Sequence, residues 1–314
     1  MNIHTNFAQL HEINNPVVTT GSFDGVHIGH KTILNRINSL ARQQGGESVL
    51  ITFYPHPRRV LFPHTRGKDL MMINTQREKA YLLEQTGLDH LIVIPFTREF
   101  AQISSFDFVK NMLVKKLHAT TVVVGFNHHF GHNREGNYQY LYRMGKKHGY
   151  IVEEIPEQDL QNESVSSTRI RKSLHQGDIQ RANAYLDHLY FIMGQIGPGN
   201  RQLDGLGFPT LMISLEEATK LIPPDGVYAI RLEADNKTYK GMLNISKKGA
   251  SHSGLNENAF VEVYLFEDVP QSIYGRLGRV NFYKRMRDFQ IFDNPDSLRK
   301  QLLKDKKEVE ELIY

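Results

Sequence analysis

The chain has 314 residues, of which 40% are hydrophobic and 23% charged, and its formal net charge is +4 at pH 7. At roughly 100–200 residues per domain, this length predicts two domains, and the composition is ordinary for a globular protein. The chain has no cysteine, which excludes disulfides, thiolate metal sites and a cysteine nucleophile.

Nothing in the sequence predicts a membrane segment. The beginning of the chain mixes Asn, His, Gln and Glu with apolar residues, so it holds no signal-peptide core, and no apolar run reaches about 18 residues. We therefore expect a cytoplasmic protein that does not insert into a membrane. The basic residues form no block or stripe, so the positive charge suits a nucleotide better than a nucleic acid.

In the first half of the chain, short apolar runs alternate with longer amphipathic segments such as KTILNRINSLARQQG. The runs begin at Val17, Val49, Leu91, Thr120 and Tyr150. Strands that alternate with helices predict βαβ units and a parallel sheet. We therefore expect an α/β, Rossmann-like domain over residues 1–185, with its ligands at the carboxyl ends of the strands.

Beyond residue 185 this alternation stops, and Gly, Pro and Asn interrupt short apolar runs such as GVYAIRLEA and AFVEVYLFE. Such spacing predicts an antiparallel barrel or sandwich over residues 186–314. The last segment, NPDSLRKQLLKDKKEVEELI, has apolar residues at helical spacing after an Asn-Pro-Asp start. It predicts a C-terminal helix.

The stretch GSFDGVHIGH, residues 21–30, directly follows the first apolar run. Gly29 lets the backbone approach a ligand closely, and the helix that begins here offers N–H groups and its positive dipole end to an anion. His27 and His30 fall on one side of the first turn, where two imidazoles can stabilise charge during nucleotidyl transfer. A solvated histidine pair in an ordinary loop is the alternative, and the short motif alone favours it.

A second candidate phosphate site is SVSSTRIRKSL, residues 164–174. Ser166 or Ser167 is a good N-cap, and Thr168 lies in the first turn. Together with Arg169 and Arg171, the hydroxyls and free N–H groups form a phosphate clamp. A well-capped surface helix with solvated arginines explains the same residues, and for this segment alone it is the better explanation.

Taken in order, GSFDGVHIGH, GFNHHFGHNREGN and SSTRIR resemble the FMN adenylyltransferase module of the bacterial bifunctional riboflavin kinase/FAD synthetase family. The segment TFYPHP, residues 52–57, resembles the flavin-side loop of that module. Several motifs in one order are far more specific than any one of them, and this likeness covers residues 1–185.

The resemblance implies that the FMN phosphate attacks the α-phosphorus of ATP, with Mg²⁺ as bridging cation and FAD and pyrophosphate as products. His27 and His30 would hold the ATP phosphates, and Arg169 would assist them in catalysis. The implied residues for binding ATP and the flavin are Gly21, Phe23, Asp24, Gly29, Phe53, His56, Gly125, Asn127, Arg134, Ser166, Ser167, Thr168 and Arg171.

The sequence departs from the family in one place in this module. The family has an Asp-Phe-Arg or Asp-His-Arg run where this chain has Asn127, His128 and His129. Asn keeps a hydrogen-bonding group but loses a charge, and His is a shorter and weaker cation than Arg near neutral pH. We expect a changed affinity rather than lost chemistry.

The second half of the chain resembles the riboflavin kinase module of the same family, a six-stranded antiparallel barrel with a closing helix. The likeness rests on GLGFPT from Gly205, on PPDGVYAIRL and on VEVYLF. Glu262 matches the family's catalytic base, which would take a proton from the riboflavin 5′-hydroxyl as it attacks the γ-phosphate of ATP. Thr210 would bind Mg²⁺ and ATP phosphate, and Asn244 would contact the ligands.

Three elements on the ATP side of the kinase module differ from the family pattern. Where the family reads Pro-Thr-Ala-Asn, this chain has Met212 as the last residue, and a thioether is a poor ligand for a hard cation. Asp204 and Gly205 stand where a Gly-Arg pair is expected, and the flap reads NISKKGA without Pro-Thr. Either the kinase works with substituted ligands, or the barrel keeps only a flavin-binding or structural role. We favour an impaired kinase.

Other functional classes fit less of the sequence. The motif at residues 27–30 is also the first signature of class I aminoacyl-tRNA synthetases, but the chain has no Lys-Met-Ser-Lys-Ser loop. A nucleotidyltransferase for another phosphate compound would not predict TFYPHP or the barrel. A flavin-sensing protein with vestigial sites stays open for the second domain. The expected partners are ATP and flavins, and the sequence leaves a homo-oligomer open.

Overall fold

A computed structural model describes residues 1–5, 10–156, 165–199, 208–246 and 260–313. The described residues divide into two compact units. The sheet unit comprises Met1–Leu70 and Lys79–Ser166, and the barrel unit comprises Met71–Glu78 and Ser167–Tyr314. The domain boundary that we expect after residue 185 stays a prediction.

The sheet unit is built on parallel strands. Within the described residues it holds a six-stranded sheet in the order β1-β4-β3-β2-β5-β6, in which neighbouring strands are parallel. The strands are β1 (Asn2–His4), β2 (Val17–Thr20), β3 (Ser48–Tyr54), β4 (His90–Pro95), β5 (Thr121–Gly125) and β6 (Ile151–Ile155). The helices are α1 (Ile28–Gln43), α2 (Pro57–Leu61), α3 (Gln76–Gln85), α4 (Ser105–Asp107), which continues as a π-helix over Phe108–Val114, and α5 (Tyr138–His148).

The central strands of this sheet are buried along nearly their whole length, as expected for strands with helices on both faces. All of β2 is buried, and so are Ser48–Thr52 of β3 and Thr121–Val124 of β5. From α1, Leu34 and Ile37 are fully buried as well. The observed sheet confirms the predicted α/β, Rossmann-like fold.

The strand order reverses between β2 and β5. From β2 the sheet continues through β3 and β4 toward one edge, whereas β5 and β6 follow on the other side of β2. Val17 pairs with Thr121 and Val18 with Val122 across this junction. Open α/β sheets bind ligands at such a reversal, outside the carboxyl ends of the strands. The fold thus directs the loops after β2 and β5 to one crevice.

The barrel unit is antiparallel. In its described part, six strands close in the order β10-β11-β8-β7-β12-β9, with antiparallel neighbours throughout. They are β7 (Phe191–Pro198), β8 (Thr210–Leu215), β9 (Gly226–Ala234), β10 (Lys237–Ser246), β11 (Phe260–Leu265) and β12 (Leu277–Arg287). Helices α6 (Ser167–His175), α7 (Ile179–Leu186) and α8 (Pro295–Leu312) complete the unit. Closure leaves no strand edge unpaired, and it confirms the predicted six-stranded barrel.

The C-terminal helix α8 is present as predicted and packs on the barrel. Its start has an Asn294 side chain that accepts a hydrogen bond from the Ser297 N–H, a favourable N-cap. Buried Asp305 accepts from Nε and Nη2 of Arg287, with Nη2 2.7 Å from Oδ2. Leu302 adds an apolar contact with the barrel. A two-point guanidinium–carboxylate contact fixes both distance and orientation, so it sets where α8 lies on the strands.

The segment Met71–Glu78, from the first half of the chain, packs with the barrel strands. The Met72 N–H donates to the Thr219 carbonyl at 2.7 Å, and the Leu221 N–H donates to the Met72 carbonyl at 2.8 Å. These two bonds make the segment an extra backbone partner of the link between β8 and β9. The barrel unit therefore includes residues far removed from it in sequence.

A buried ion pair fastens this segment. The Lys220 ammonium lies 2.7 Å from Glu78 Oε2, and both side chains are fully buried. The same ammonium donates to the carbonyls of Ile73 at 2.6 Å and Phe191 at 2.8 Å, which matches the three protons it has to give. Glu78 Oε1 accepts from the Met193 N–H at 2.8 Å. Both charges are thus compensated by good hydrogen bonds, the condition under which a buried pair is tolerated.

We predict that Lys220→Met lowers the free energy of unfolding by about 3–5 kcal/mol, because it leaves the Glu78 carboxylate buried without its cation. Equilibrium urea denaturation measures the change. The control is Arg77→Met, which breaks the exposed pair of Arg77 with Glu216, whose side chains are 52% and 41% exposed. That change should cost only about 0–1 kcal/mol, and equal losses for the two variants would contradict the prediction.

Candidate active site

The loop after β2 folds back sharply before α1 begins. Phe23, Gly25 and Val26 have φ values of 48°, 92° and 39°. Non-glycine residues hold such values only where their surroundings determine them, and they cluster at functional sites. Asp24 in the same loop is buried. His27 ends the loop as the N-cap of α1. The described first turn of α1 carries no acidic residue, so its positive end stays available to an anion.

Three rings stack in this loop. The Phe23 ring lies on His30 with centroids 4.5 Å apart, and His30 lies on His27 with centroids 3.7 Å apart. Burial, and then the charges of His27 and Lys79, hold the pKa of His30 well below its ordinary value. His30 is therefore neutral near pH 7 and has one N–H to donate. The structure brings the two predicted histidines together, and their role in phosphate binding stays a prediction.

A buried lysine, which the sequence reasoning missed, lies beneath the same loop. Lys79 of α3 is 4% exposed, and its ammonium donates to the Ser22 carbonyl at 3.3 Å and to Thr52 Oγ1 at 3.1 Å. The signal that could have revealed it is its spacing, because Leu82 and Leu83, three and four residues later, are both buried. A lysine on the apolar face of a helix is unusual and calls for an explanation.

The loop after β5 supplies the other wall of the predicted crevice. Gly125 ends the strand, and Asn127 follows with a φ of 60° and an exposed side chain. The His128 ring is stacked near Phe130 with centroids 6.0 Å apart. Arg134 is exposed farther along, in a turn over His132–Arg134. Asn127 and Arg134 are thus exposed and Gly125 is partly exposed, and a role of these residues in ATP binding stays a prediction.

The loops after β3 and β4 carry an aromatic group. The ring of Phe53, at the end of β3, lies 5.6 Å from Phe96 and 5.8 Å from Phe100 between centroids. All three side chains are partly exposed, so they offer ring faces and edges to a planar ligand. His56 caps α2, accepting from the Arg58 N–H at 3.2 Å. Sequence reasoning included Phe53 but missed Phe96 and Phe100, which only the pairing of β3 with β4 brings beside it.

The segment SSTRIR falls at the start of α6. Ser166 ends the sheet unit, and Ser167 begins α6 in the barrel unit. Thr168 and Arg169 are exposed, whereas Arg171 is buried and its Nε donates to the Met71 carbonyl at 2.8 Å. Part of the Arg171 guanidinium therefore serves the packing of the barrel unit, which the sequence did not indicate. A phosphate-binding role for this segment stays a prediction.

In the barrel, the predicted kinase residues lie on one face of adjacent strands. Glu262 of β11 pairs with Asn244 of β10 on one side and with Met212 of β8 on the other. Thr210 pairs with Tyr264, two residues from Glu262. Because alternate residues of a strand share a face, these five side chains lie on the same face of the barrel. We call this set, Thr210, Met212, Asn244, Glu262 and Tyr264, the barrel row. The residues between them, such as Val261 and Val263, are fully buried.

A hydrogen bond orients the carboxylate of this row. The Tyr264 hydroxyl donates to Glu262 Oε2 at 2.9 Å. Burial, and then the charge of Glu262, raise the pKa of Tyr264 far above its ordinary value, so the hydroxyl keeps its proton. Asn244 Oδ1 is buried and, among the described residues, has no hydrogen-bond partner. The Tyr264 hydroxyl therefore contacts the Glu262 carboxylate, and Asn244 pairs with Glu262 in the register, while the role of Glu262 as a base stays a prediction.

A cavity of about 270 Å³ opens on this face. Its lining includes Asn244, Tyr264, Arg287, Phe289 and Phe292. The volume lies near the lower end of small-molecule sites, and a mostly apolar wall with few polar groups is typical of them. Asp204, Gly205 and the flap residues 247–250, where we expect a departure from the kinase pattern, lie outside the described residues.

Comparisons with known proteins agree with both halves of this description. A family model described as FAD synthetase matches residues 9–169, and one described as riboflavin kinase matches residues 186–313. The bifunctional riboflavin kinase/FMN adenylyltransferase of Bacillus subtilis is 33% identical over 93% of this chain and 90% of its own length. This chain belongs to the bifunctional riboflavin kinase/FMN adenylyltransferase family.

Other relatives extend the family likeness over the whole chain. The bifunctional riboflavin kinase/FMN adenylyltransferase of Buchnera aphidicola from Acyrthosiphon pisum is 32% identical over 97% of this chain and 96% of its own length. A crystal structure described as a macrolide-efflux protein from Streptococcus pneumoniae is also similar, with a TM-score of 0.83 and 28% identity over 97% of each chain. In the described part of the present chain, no helix is both long and apolar enough to span a bilayer.

A buried histidine in the loop after β5 makes stability depend on pH. Burial, and then the charge of His129, lower the pKa of His128 to about 4, whereas an unfolded histidine titrates near 6.5. Between these values the unfolded chain binds more protons. The contribution of His128 to stability is therefore complete above about pH 6.5 and is lost as the pH falls toward 4.

We predict that His128→Asn loses less stability than the parent protein when the pH falls from 7.5 to about 4.5, because the buried imidazole no longer resists protonation. Urea denaturation at several pH values measures the slope. His64→Asn, at an exposed histidine, is the control and should follow the parent. A slope for His128→Asn that matches the parent would show that this imidazole does not govern acid sensitivity.

Proposed function

We propose that this chain is an FMN adenylyltransferase that transfers AMP from ATP to FMN, giving FAD and pyrophosphate. The observation that carries the proposal is that the Gly21–His27 and Gly125–Phe130 loops both follow strands on either side of the strand reversal. It is supported by the match to the FAD synthetase family over residues 9–169. The aromatic group around Phe53 suits the flavin ring, which stacks readily on aromatic side chains.

In the proposed reaction, an oxygen of the FMN phosphate attacks the α-phosphorus of ATP. The bond from this phosphorus to the oxygen that bridges it to the β-phosphorus breaks, and pyrophosphate leaves. The attacking phosphate is already an anion, so the site has no need of a general base. His27, His30 and the N–H groups at the start of α1 would bind the phosphates and stabilise the charge that shifts onto the leaving group.

The residues present fit Mg²⁺ that is held mainly by the substrate. Mg²⁺ prefers oxygen ligands and is often bound by substrate phosphates plus one or two protein groups. In the part of the chain that the structure describes, no three His, Asp or Glu side chains group as a metal site. In the barrel row, the Thr210 hydroxyl, the Glu262 carboxylate and the Asn244 amide supply oxygens. Bound there, the ion would neutralise phosphate charge during transfer.

We further propose that the barrel unit has riboflavin kinase activity that Met212 weakens. Glu262 would take the proton of the riboflavin 5′-hydroxyl, whose oxygen attacks the γ-phosphorus of ATP as ADP leaves. Tyr264 orients that carboxylate, and the cavity beside it suits a flavin. Met212, however, lies directly across from Glu262 in the register and brings a thioether where an oxygen ligand would serve. A purely structural or flavin-binding barrel is the alternative.

The direct test is product analysis by chromatography after incubation with ATP and Mg²⁺, once with riboflavin and once with FMN. We expect abundant FAD from FMN, and slow formation of FMN and FAD from riboflavin. FAD from FMN alone would leave the adenylyltransferase and remove the kinase. No FAD from either flavin would overturn the main proposal.

We predict that His30→Ala lowers kcat for FAD formation from FMN by about 10²–10³-fold, the cost of losing one donor to developing charge. Steady-state kinetics measures the rate, and circular dichroism checks that the fold is retained. His11→Ala, at an exposed histidine before β2, is the matched control and should keep the parent rate. Near-parental turnover of a folded His30→Ala protein would refute the phosphate-binding role.

We predict that Met212→Asn raises the rate of FMN formation from riboflavin by about tenfold or more, because an amide oxygen is a better Mg²⁺ ligand than a thioether. The coupled release of ADP measures the rate at several Mg²⁺ concentrations. Met212→Leu keeps the side chain apolar and should give no gain. Equal rates for the Asn and Leu variants would show that this position does not limit phosphoryl transfer.

A further inference from the structure

Lys79 is a buried cation that neither the family motifs nor the proposed chemistry includes. It lies on α3 at 4% exposure, on the same face as Leu82 and Leu83. Burying an ammonium is costly unless hydrogen bonds compensate it, and an apolar side chain would fill a helix face at less cost. The contacts of the ammonium therefore indicate what the lysine does.

Two of those contacts converge on one carbonyl group. The Lys79 ammonium donates to the Ser22 carbonyl at 3.3 Å and to Thr52 Oγ1 at 3.1 Å. The Thr52 hydroxyl in turn donates to the same Ser22 carbonyl at 3.2 Å. Ammonium, hydroxyl and carbonyl form a triangle that fixes the peptide group after Ser22. The chain turns into its left-handed conformation at the next residue, Phe23.

From this turn, a continuous series of contacts leads to the candidate phosphate-binding side chains. The Phe23 ring stacks on His30, and His30 stacks on His27. A shift of the Ser22 carbonyl would move the Phe23 ring and, with it, the support of both imidazoles. The charge of Lys79 also acts on His30. The charged or titratable groups that act on this ring are His27 and Lys79, and both lower its pKa together with burial.

We propose that Lys79 is a positioning residue of the adenylyltransferase site, which holds the Ser22–Phe23 turn and thereby the stacked His30 and His27 in place for ATP. Its kinetic consequence rests on the proposed function. The competing explanation is that Lys79 only stabilises the fold. The two differ in what a folded variant does, because loss of a merely structural lysine leaves the turnover of the folded enzyme unchanged.

The experiment compares three variants of the full chain. Lys79→Met removes the ammonium and keeps the length of the side chain. Thr52→Val removes the hydroxyl that links Lys79 to Ser22 but leaves the ammonium in place. Lys115→Met, at an exposed lysine, is the control. Each protein is assayed for kcat and for KM of ATP with FMN, and the histidine imidazoles are titrated by NMR without nucleotide.

We expect Lys79→Met to lower kcat by about 10- to 100-fold, the range for a small displacement of catalytic groups, and to raise the pKa of His30. Thr52→Val should lower kcat as well, while His30 titrates nearly as in the parent. The control should match the parent in both measurements. Parental kcat in folded Lys79→Met, or parental kcat in Thr52→Val, would overturn the proposal.

The outcomes separate this inference from the proposed function. If the parent protein makes no FAD, the adenylyltransferase proposal fails, and the NMR titration still tests Lys79. An unchanged His30 titration in folded Lys79→Met would then overturn the inference. If Lys79→Met does not fold, Thr52→Val decides, since this nearly isosteric change leaves the ammonium and its hydrogen bond to the Ser22 carbonyl in place.

Discussion

The reversal of strand order between β2 and β5 is the constraint on which the candidate nucleotide site depends. Every strand of the sheet is parallel to its neighbours, so all the carboxyl ends meet at one edge. At the reversal, the segments that follow two adjacent strands run in opposite directions, and a crevice forms between them. The strand ends at Thr20 and Gly125 place one motif on each side of that crevice. The chemistry of the site follows from this arrangement, since phosphate binding needs several donors around one position.

The loop beside that crevice is ordered by residues of the sequence motifs together with Lys79, which belongs to none of them. The Phe23, His30 and His27 rings support one another, and the turn that carries Phe23 is tied to Lys79 and Thr52. A neutral His30 inside this group is a physical consequence of burial and of neighbouring positive charge. ATP brings the opposite charge, so its binding would oppose the effect that keeps His30 neutral. The site is therefore poised to respond electrostatically to its substrate.

In the barrel unit, the backbone register brings the candidate kinase residues together, as the strand reversal does for the two loops of the sheet unit. Antiparallel pairing brings Glu262, Asn244 and Met212 to the same level of adjacent strands. Met212 is therefore a direct neighbour of Glu262, so a substitution at Met212 acts next to the carboxylate. The buried pair of Glu78 and Lys220 adds a second feature of the barrel unit. Residues from the first half of the chain complete its core. Glu78 and Lys79 are neighbours on α3, and they belong to different units.

The sequence by itself determined the fold class, the C-terminal helix and the family, because these follow from local periodicity and from motifs in a given order. It also suggested His27, His30, Glu262 and Met212 as site residues, because their residue types carry chemistry wherever they lie, and these assignments stay predictions. It did not reveal Lys79, Phe96, Phe100 or the Glu78–Lys220 pair. Their significance arises from neighbours that are distant in the chain, and a single sequence holds no record of which distant residues meet. Only the tertiary structure decided that a lysine would be buried under the phosphate loop, because burial and the hydrogen bonds that compensate it depend on packing among several elements.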